Sequence, residues 1–209
     1  MTSISLIGTG TMARILGTLA LAGGNTGNTV EILGRSRSKA DDLAKVLGDG
    51  ATAGDWGAVP AGDIVIVALL SGDVVPVVAQ YGDALAGKVI VDISNPFNPA
   101  ADGLSYAGET SVAQEAAKVA PAGASVVKAF NTVFGHVLEK GNRPDVFLAG
   151  DDASAKAAVS AFVESTGLRP LDVGGLDMAH WLEGAGLLTM GLARNGVRHW
   201  EFALGVREF

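Results

Sequence analysis

The 209-residue chain contains no cysteine. That excludes disulfides, thiolate metal sites and cysteine nucleophiles, and removes any positive sign of an oxidising compartment. Cationic residues are also scarce. Fifteen Lys and Arg stand against 22 Asp and Glu, a formal net charge of -7 with a pI near 4.9. No broad basic field is available to neutralise phosphates, so neither nucleic acid nor an anionic membrane surface is expected as a partner. No apolar run reaches the roughly 18 residues of a membrane span. The N-terminus opens straight into an apolar strand, with no charged leader or cleavage signal. The expectation is a soluble cytoplasmic protein. Hydrophobic content of 48% with 18% charged residues is that of a globular chain and not a disordered one. Its length suits one α/β domain with a real core and is short for two.

What the chain does have is concentrated in its first forty residues. Ile4, Leu6 and Ile7 form a short apolar run that ends in Gly8-Thr9-Gly10-Thr11-Met12-Ala13, and Met12, Ile15, Leu16, Leu19 and Ala20 follow at helical spacing. This is the G-x-G-x-x-[GA] pattern between a strand and a helix that marks a dinucleotide-binding βαβ unit. Gly8 permits the tight turn, Gly10 lets the backbone approach a pyrophosphate, and Ala13 lets helix and sheet pack closely. The helix N-terminus offers free N–H groups and a partial positive charge to the phosphates. A tight βα turn in a sheet that binds nothing would show the same glycines, but rarely with strand and helix both in place.

Which nucleotide is decided after the second strand, Thr29 to Leu33. A site for NAD would place an Asp or Glu here to hold the ribose 2′-hydroxyl. The sequence instead reads Gly34-Arg35-Ser36-Arg37-Ser38-Lys39. Three cations and two hydroxyls suit a 2′-phosphate. Cations in the first turn of a helix oppose its dipole, so an anionic partner explains them better than a solvated helix start. NADP(H) is therefore expected over NAD(H). Glu31, inside the strand, reads as structural.

Further along, Ala40 to Leu47 reads as a helix and Ala51 to Ala53 as a short third strand. Asp63 to Leu69 is a continuous apolar run, as for a central parallel strand covered on both faces. Leu70-Ser71-Gly72-Asp73 leads into a helix from Val74 to Tyr81, with Ser71 or Asp73 as cap. Gly87 to Ile93 is strand five, followed by Ser94-Asn95-Pro96-Phe97-Asn98-Pro99. A helix is expected from Glu109 to Val119, strand six from Ser125 to Phe130, and a short helix near His136. Strand seven is Asp145 to Gly150, followed by a helix from Ala153 to Ser165. An edge strand, Arg169 to Val173, tolerates Pro170. A last helix covers Leu176 to Leu192, before a tail with Trp200, Phe202, Leu204 and Val206. The alternation predicts an α/β fold: a Rossmann-type doubly wound parallel sheet with a small C-terminal helical extension. Residues 1–209 read as one nucleotide-binding domain, with 1–175 its core and 176–209 the helical segment. Ligands of such sheets sit beyond the strand carboxyl ends, so Gly8 to Ala13, Gly34 to Lys39, Leu70 to Asp73, Ser94 to Pro99 and Asn131 to His136 should converge. Little chain then remains to wall a substrate pocket. The second redox partner must meet an open cleft, or another subunit must complete it. The apolar residues Trp181, Trp200, Phe202 and Phe209 are either a homodimer contact or intramolecular packing.

The opening fingerprint, Gly34-Arg35-Ser36, Ser94-Asn95-Pro96, Lys128-Ala129-Phe130-Asn131-Thr132 and Gly167-Leu168-Arg169-Pro170-Leu171-Asp172-Val173-Gly174 together resemble the coenzyme F420-dependent NADP oxidoreductases. The chain is also similar to the cytosolic reductase domains of STEAP metalloreductases. The resemblance implies hydride transfer between NADP(H) and a deazaflavin (F420) or a flavin such as FMN or FAD, with the rings in contact and no protein acid, base or nucleophile required. The family's usual order after strand two is Gly-Ser-Arg. Deazaflavin-using members tend to carry a Pro and an aromatic where this chain has Leu69-Leu70-Ser71-Gly72. NADPH therefore carries over better than the acceptor.

The cofactor-binding candidates are Gly8, Thr9, Gly10, Thr11, Met12, Ala13, Gly34, Arg35, Ser36, Arg37, Lys39, Leu69, Leu70, Ser71, Asn95, Pro96 and Asn131, with no catalytic side chain and no metal. Asn95 and Asn131 at strand ends suit ribose or carboxamide, or loop capping. Arg14 suits phosphate or solvent, and Asp92 a neighbouring backbone N–H. His136 reads as a proton donor near the nicotinamide or as a buried, capping residue. His180 and His199 have no carboxylates at metal-ligand spacing. Two alternatives to an F420- or flavin-linked enzyme stand. One is a reductase of a small imine or ketone, with His136, Tyr81 or Tyr106 as proton donor. The other is a non-catalytic NADPH-binding sensor that contacts a partner through its apolar tail.

Overall fold

A computed structural model describes residues 2–22, 27–105, 110–197 and 200–209. In chain order the elements are β1 (Ser3–Ile7), α1 (Thr11–Ala22), β2 (Thr29–Leu33), α2 (Arg37–Leu47), β3 (Ala51–Gly54), β4 (Ile64–Val67), α3 (Ser71–Tyr81), β5 (Val89–Asp92), α4 (Val112–Val119), β6 (Ser125–Lys128), α5 (Gly135–Glu139), β7 (Asp145–Gly150), α6 (Ala153–Ser165), β8 (Arg169–Asp172) and α7 (Ala179–Asn195). The strands form one sheet in the order β3-β2-β1-β4-β5-β6-β7-β8. The chain winds outward from β1 in one direction and from β4 in the other, so the switch point lies between these two strands. This is a Rossmann-type α/β fold with a C-terminal helix.

Alternation along the strands sorts the core into two layers. Ile64 and Ile66 of β4 join Leu6, Ile15, Leu16, Ile32 and Phe162 on the face covered by α1, α2 and α6. Val65 and Val67 join Val74, Val78, Val112, Ala113 and Leu182 on the face covered by α3, α4 and α7. All four β4 residues are buried, which is why this strand reads as an unbroken apolar run.

Three expectations are corrected. The sheet is not wholly parallel: β7 pairs antiparallel with β6, and β8 is parallel to β7. The connection from β6 to β7 holds only the five-residue α5, too little for a crossover, so the chain reverses beside the strand it leaves. The helix after β4 begins at Ser71 and not Val74; its N-cap is Leu70, with no side-chain cap bond, so neither Ser71 nor Asp73 serves as cap. The last helix extends to Asn195 behind a 3-10 turn at Leu176–Met178. α4 starts at Val112, capped by the Ser111 hydroxyl, which accepts from Gln114 N–H. Its expected start at Glu109 lies outside the described residues, as do Tyr106 and His199. Among the described residues no helix is long and apolar enough to cross a membrane, and no group of three or more acidic or histidine side chains could hold a metal.

Candidate functional site

The β1–α1 turn fits its neighbours closely on one side and faces space on the other. Gly8 adopts φ +131, and a Cβ there would lie 2.5 Å from the Ala68 carbonyl oxygen at the end of β4. Its N–H donates to Leu33 O at 2.9 Å, tying the turn to β2. Gly10, two residues on, has nothing within 4 Å of where a Cβ would sit. Thr9 packs against Gly34, whose Cβ would meet the Thr9 methyl at 2.7 Å, so the first and second βα turns touch. The first backbone bond of α1 runs from Arg14 N–H to Gly10 O, leaving the N–H groups of Thr11, Met12 and Ala13 ahead of it. Arg14 itself turns away to an ion pair with Glu139 on α5.

The basic cluster forms the start of α2. Ser36 is the N-cap, yet its hydroxyl makes no cap bond and instead lies 3.0 Å from Ser38 Oγ. No acidic residue occupies the first turn. Arg37 is held by Asp41 at 3.0 Å and Asp55 at 2.5 Å; hydrogen bonds to Asp41 and then Asp55 push its guanidinium pKa up. Arg35 is the freer cation, its side chain 72% exposed and 4.0 Å from Asp73 of α3. Lys39 is exposed. Glu31 stays within the fold, accepting from Ser5 Oγ at 2.7 Å and Ala61 N–H at 2.8 Å.

Leu69, Leu70 and Ser71 follow β4 at the same rim, and Leu70 is 81% exposed there. Beyond β5 and β6, Asn95 and Asn131 bond to each other: Asn95 Nδ2 donates to Asn131 O at 2.7 Å, and Asn131 Nδ2 to Asn95 Oδ1 at 2.9 Å. Asn131 Nδ2 also donates to Leu182 O of α7 at 2.8 Å. The Asn95–Pro96 bond is trans, like every described peptide bond. His136 is half-buried, stacks on Phe134 and directs Nε2 to the Trp200 carbonyl at 2.5 Å. Phe134 also meets Trp200 and Phe202 at 5.5 and 5.6 Å between ring centroids. The two tail aromatics therefore pack on their own chain, while Trp181 and Phe209 remain exposed.

One group of residues escaped the reading of the sequence as a unit. Lys128, Asp92 and Glu183 form an ion cluster with every side chain 0% exposed. Lys128 Nζ donates to Asp92 Oδ2 at 2.8 Å, Glu183 Oε1 at 2.7 Å and Ser94 O at 2.7 Å. Asp92 Oδ1 accepts Ser94 N–H at 2.9 Å, the local bond expected of it. Glu183 Oε1 also accepts Val112 N–H at 3.0 Å, whereas Oε2 is buried without a partner. Burial pushes the Glu183 pKa up, and the nearby Lys128 charge only partly offsets that. The available signal was a single charge in each of three otherwise apolar runs, 89–93, 125–130 and 179–189.

Residues 3–96 match the family model described as NADP oxidoreductase, coenzyme F420-dependent. The chain is 37% identical over 107 residues to the rat metalloreductase STEAP3, a match covering 50% of this chain and 21% of that protein. It is 30% identical over 143 residues to the F420-dependent NADP reductase of Methanocaldococcus jannaschii, covering 65% of this chain and 64% of the other. The chain thus spans less than two thirds of the length of these curated relatives. A candidate F420-dependent NADP-reductase from Arthrobacter sp. FB24 superposes with a TM-score of 0.74 at 25% identity, over 92% of this chain and 93% of that one.

Proposed function

We propose that this chain, whose residues 3–96 match the model of the coenzyme F420-dependent NADP oxidoreductase family, binds NADP(H) and passes hydride between it and a deazaflavin or flavin. The observation that carries this is the start of α2: an N-cap serine whose hydroxyl makes no cap bond, a first turn without an acid, and Arg35, Arg37 and Lys39 around it. In this reading Arg35, Ser36 and Lys39 hold the 2′-phosphate, with Arg37 oriented by its two carboxylates. Gly8 to Ala13 receive the pyrophosphate, on open space at Gly10 and the N–H groups of the first turn of α1. The nicotinamide half then lies toward Leu69, Leu70, Ser71, Asn95, Pro96 and Asn131. When bound, the nicotinamide supplies or accepts the hydride; the protein's part is to hold two rings in contact and exclude water.

Among the described residues, the surroundings favour a ring acceptor over an imine or ketone, whose reduction requires a proton donor. His136 is engaged with the Trp200 carbonyl, and Tyr81 is buried edge-on against Trp56. Exposed Leu70 provides an apolar lip beside the rim. The reading also takes residues 1–175 as the nucleotide-binding core and the outer face of α7, with exposed Trp181 and Leu188, as the contact of a homodimer. Sedimentation of a Trp181→Glu variant as monomer and wild type as dimer tests that contact.

Calorimetric titration with NADPH and NADH, followed by NADPH oxidation against F420, FMN, FAD and a panel of ketones and imines, tests the function. Preference for NADPH with turnover of a deazaflavin or flavin is expected. Equal affinity for the two nicotinamides removes the cofactor assignment; turnover of the carbonyl panel alone removes the acceptor; binding without any turnover makes the chain a sensor.

A further inference from the structure

The buried cluster of Lys128, Asp92 and Glu183 lies outside any contact with solvent, and the chemistry above makes no use of it. Two carboxylates share one ammonium, a costly arrangement in a protein interior unless its geometry is needed. Its partners say what it holds. Lys128 reaches the Ser94 carbonyl, and Asp92 the Ser94 N–H, so both polar groups of Ser94's backbone are fixed. Glu183 comes from a helix 55 residues further along the chain. Its neighbours on α7 grip the adjacent turns. The carbonyl of Leu182 takes the Asn131 amide, and Gly186 lies so near Asn95 that a Cβ would sit 2.7 Å from Oδ1. Between Lys128 and Asn131 the backbone passes through Phe130 at φ 60, a left-handed conformation costly for a bulky residue, which persists only where its surroundings over-determine it.

We infer that Glu183 is a positioning residue: through Lys128, and together with Leu182 and Gly186 on the same helix, it fixes the turns after β5 and β6 that bear the nicotinamide half of the cofactor. The inference rests on the NADP(H) reading for what those turns carry. The adenosine half, against the β1–α1 and β2–α2 turns, is held by residues that touch none of this network. A defect at Glu183 should therefore divide the cofactor into an affected half and an unaffected one.

The test compares NADPH with 2′,5′-ADP, which retains the 2′-phosphate and lacks the nicotinamide. Wild type, Glu183→Leu and Glu183→Gln are titrated with both by calorimetry. Glu183→Leu is expected to weaken NADPH about tenfold or more while leaving 2′,5′-ADP within about twofold, because misplacing a supporting turn removes only contacts made by that half. Glu183→Gln keeps an acceptor for Lys128 and Val112 and should restore NADPH to within about threefold of wild type. A partly unfolded sample would lower the binding stoichiometry of both ligands alike and cannot imitate this split. Where Glu183→Leu does not fold, Gly186→Ala, which presses on Asn95, carries the same comparison. Equal weakening of both ligands, or no change in either, overturns the inference and leaves the cofactor reading standing. Wild type that fails to bind NADPH overturns both.

Discussion

The two halves of the sheet use charge in opposite ways. On the β1–β2–β4 side the cations lie at the surface, Arg35 with 72% of its side chain exposed, around helix starts whose donors the fold leaves unused. On the β5–β6–α7 side the charges are fully buried, and Lys128 has every donor occupied. Exposed cations cost the fold little and remain free for an incoming anion. Buried ions are expensive to desolvate, and their return is a fixed backbone. One half leaves its charges free, the other locks them in place.

The sharpest way to break this contrast is to strip the buried side of its cation. Lys128→Met leaves Asp92 and Glu183 facing each other without a counter-charge, and unfolding free energy should fall by about 3–5 kcal/mol. Urea denaturation measures it; a loss no larger than that of a surface lysine would dissolve the distinction. On the exposed side, Arg35→Ala should leave the urea midpoint unchanged and weaken NADPH by roughly tenfold to a hundredfold, with NADH hardly affected. Arg37→Ala should do less to the cofactor, since Asp41 and Asp55 already occupy its guanidinium. Equal losses for NADPH and NADH would show that the cluster does not read the 2′-phosphate.

Two smaller effects sharpen the picture through pH. Burial raises the Glu183 pKa, so its contribution is fully present below the ordinary carboxylate range and declines as pH rises through the raised value. Stability measured at about pH 4.5 and about pH 8 should fall more across that interval for wild type than for Glu183→Gln. Asp145 has the opposite sign. The Arg169 hydrogen bonds, and then Val206 N–H, hold its pKa down, so its contribution is present at neutral pH and is lost as pH falls through the depressed value. Asp145→Asn should lessen that acid-side loss and loosen the tail at Val206, read by proteolysis near the C-terminus.

The exposed half was the legible half. Gly8, Gly10, Ala13 and the Arg35–Lys39 cluster lie within short stretches whose spacing carries their meaning, and the sheet around them followed from apolar runs. The buried half depends on contacts 36 and 55 residues apart in the chain. No local pattern couples Asp92 to Lys128 or either to Glu183. Glu183 falls at the spacing of the buried α7 positions Ala179, Leu182, Gly186 and Thr189, and a lone acid on such a stripe was the visible hint. The reversal at β7 was hidden for a related reason: its apolar run reads the same in either direction, and only the lack of a long helix between β6 and β7 distinguishes them. Ser71 was passed over as a helical residue because hydroxyls and glycine before an apolar stretch read as a cap.

That reversal has a practical side. β1 enters from the rim where Ser3 pairs with Thr29, opposite the glycine turns. Because β7 runs backward, Asp145 stands near the rim of the glycine turns and anchors Val206 beside it. A purification handle or fluorophore attached ahead of β1 would hang clear of the glycine turns, whereas the same attachment beyond Val206 would start from their side of the sheet. The choice of which end to label can therefore alter what a binding measurement reports.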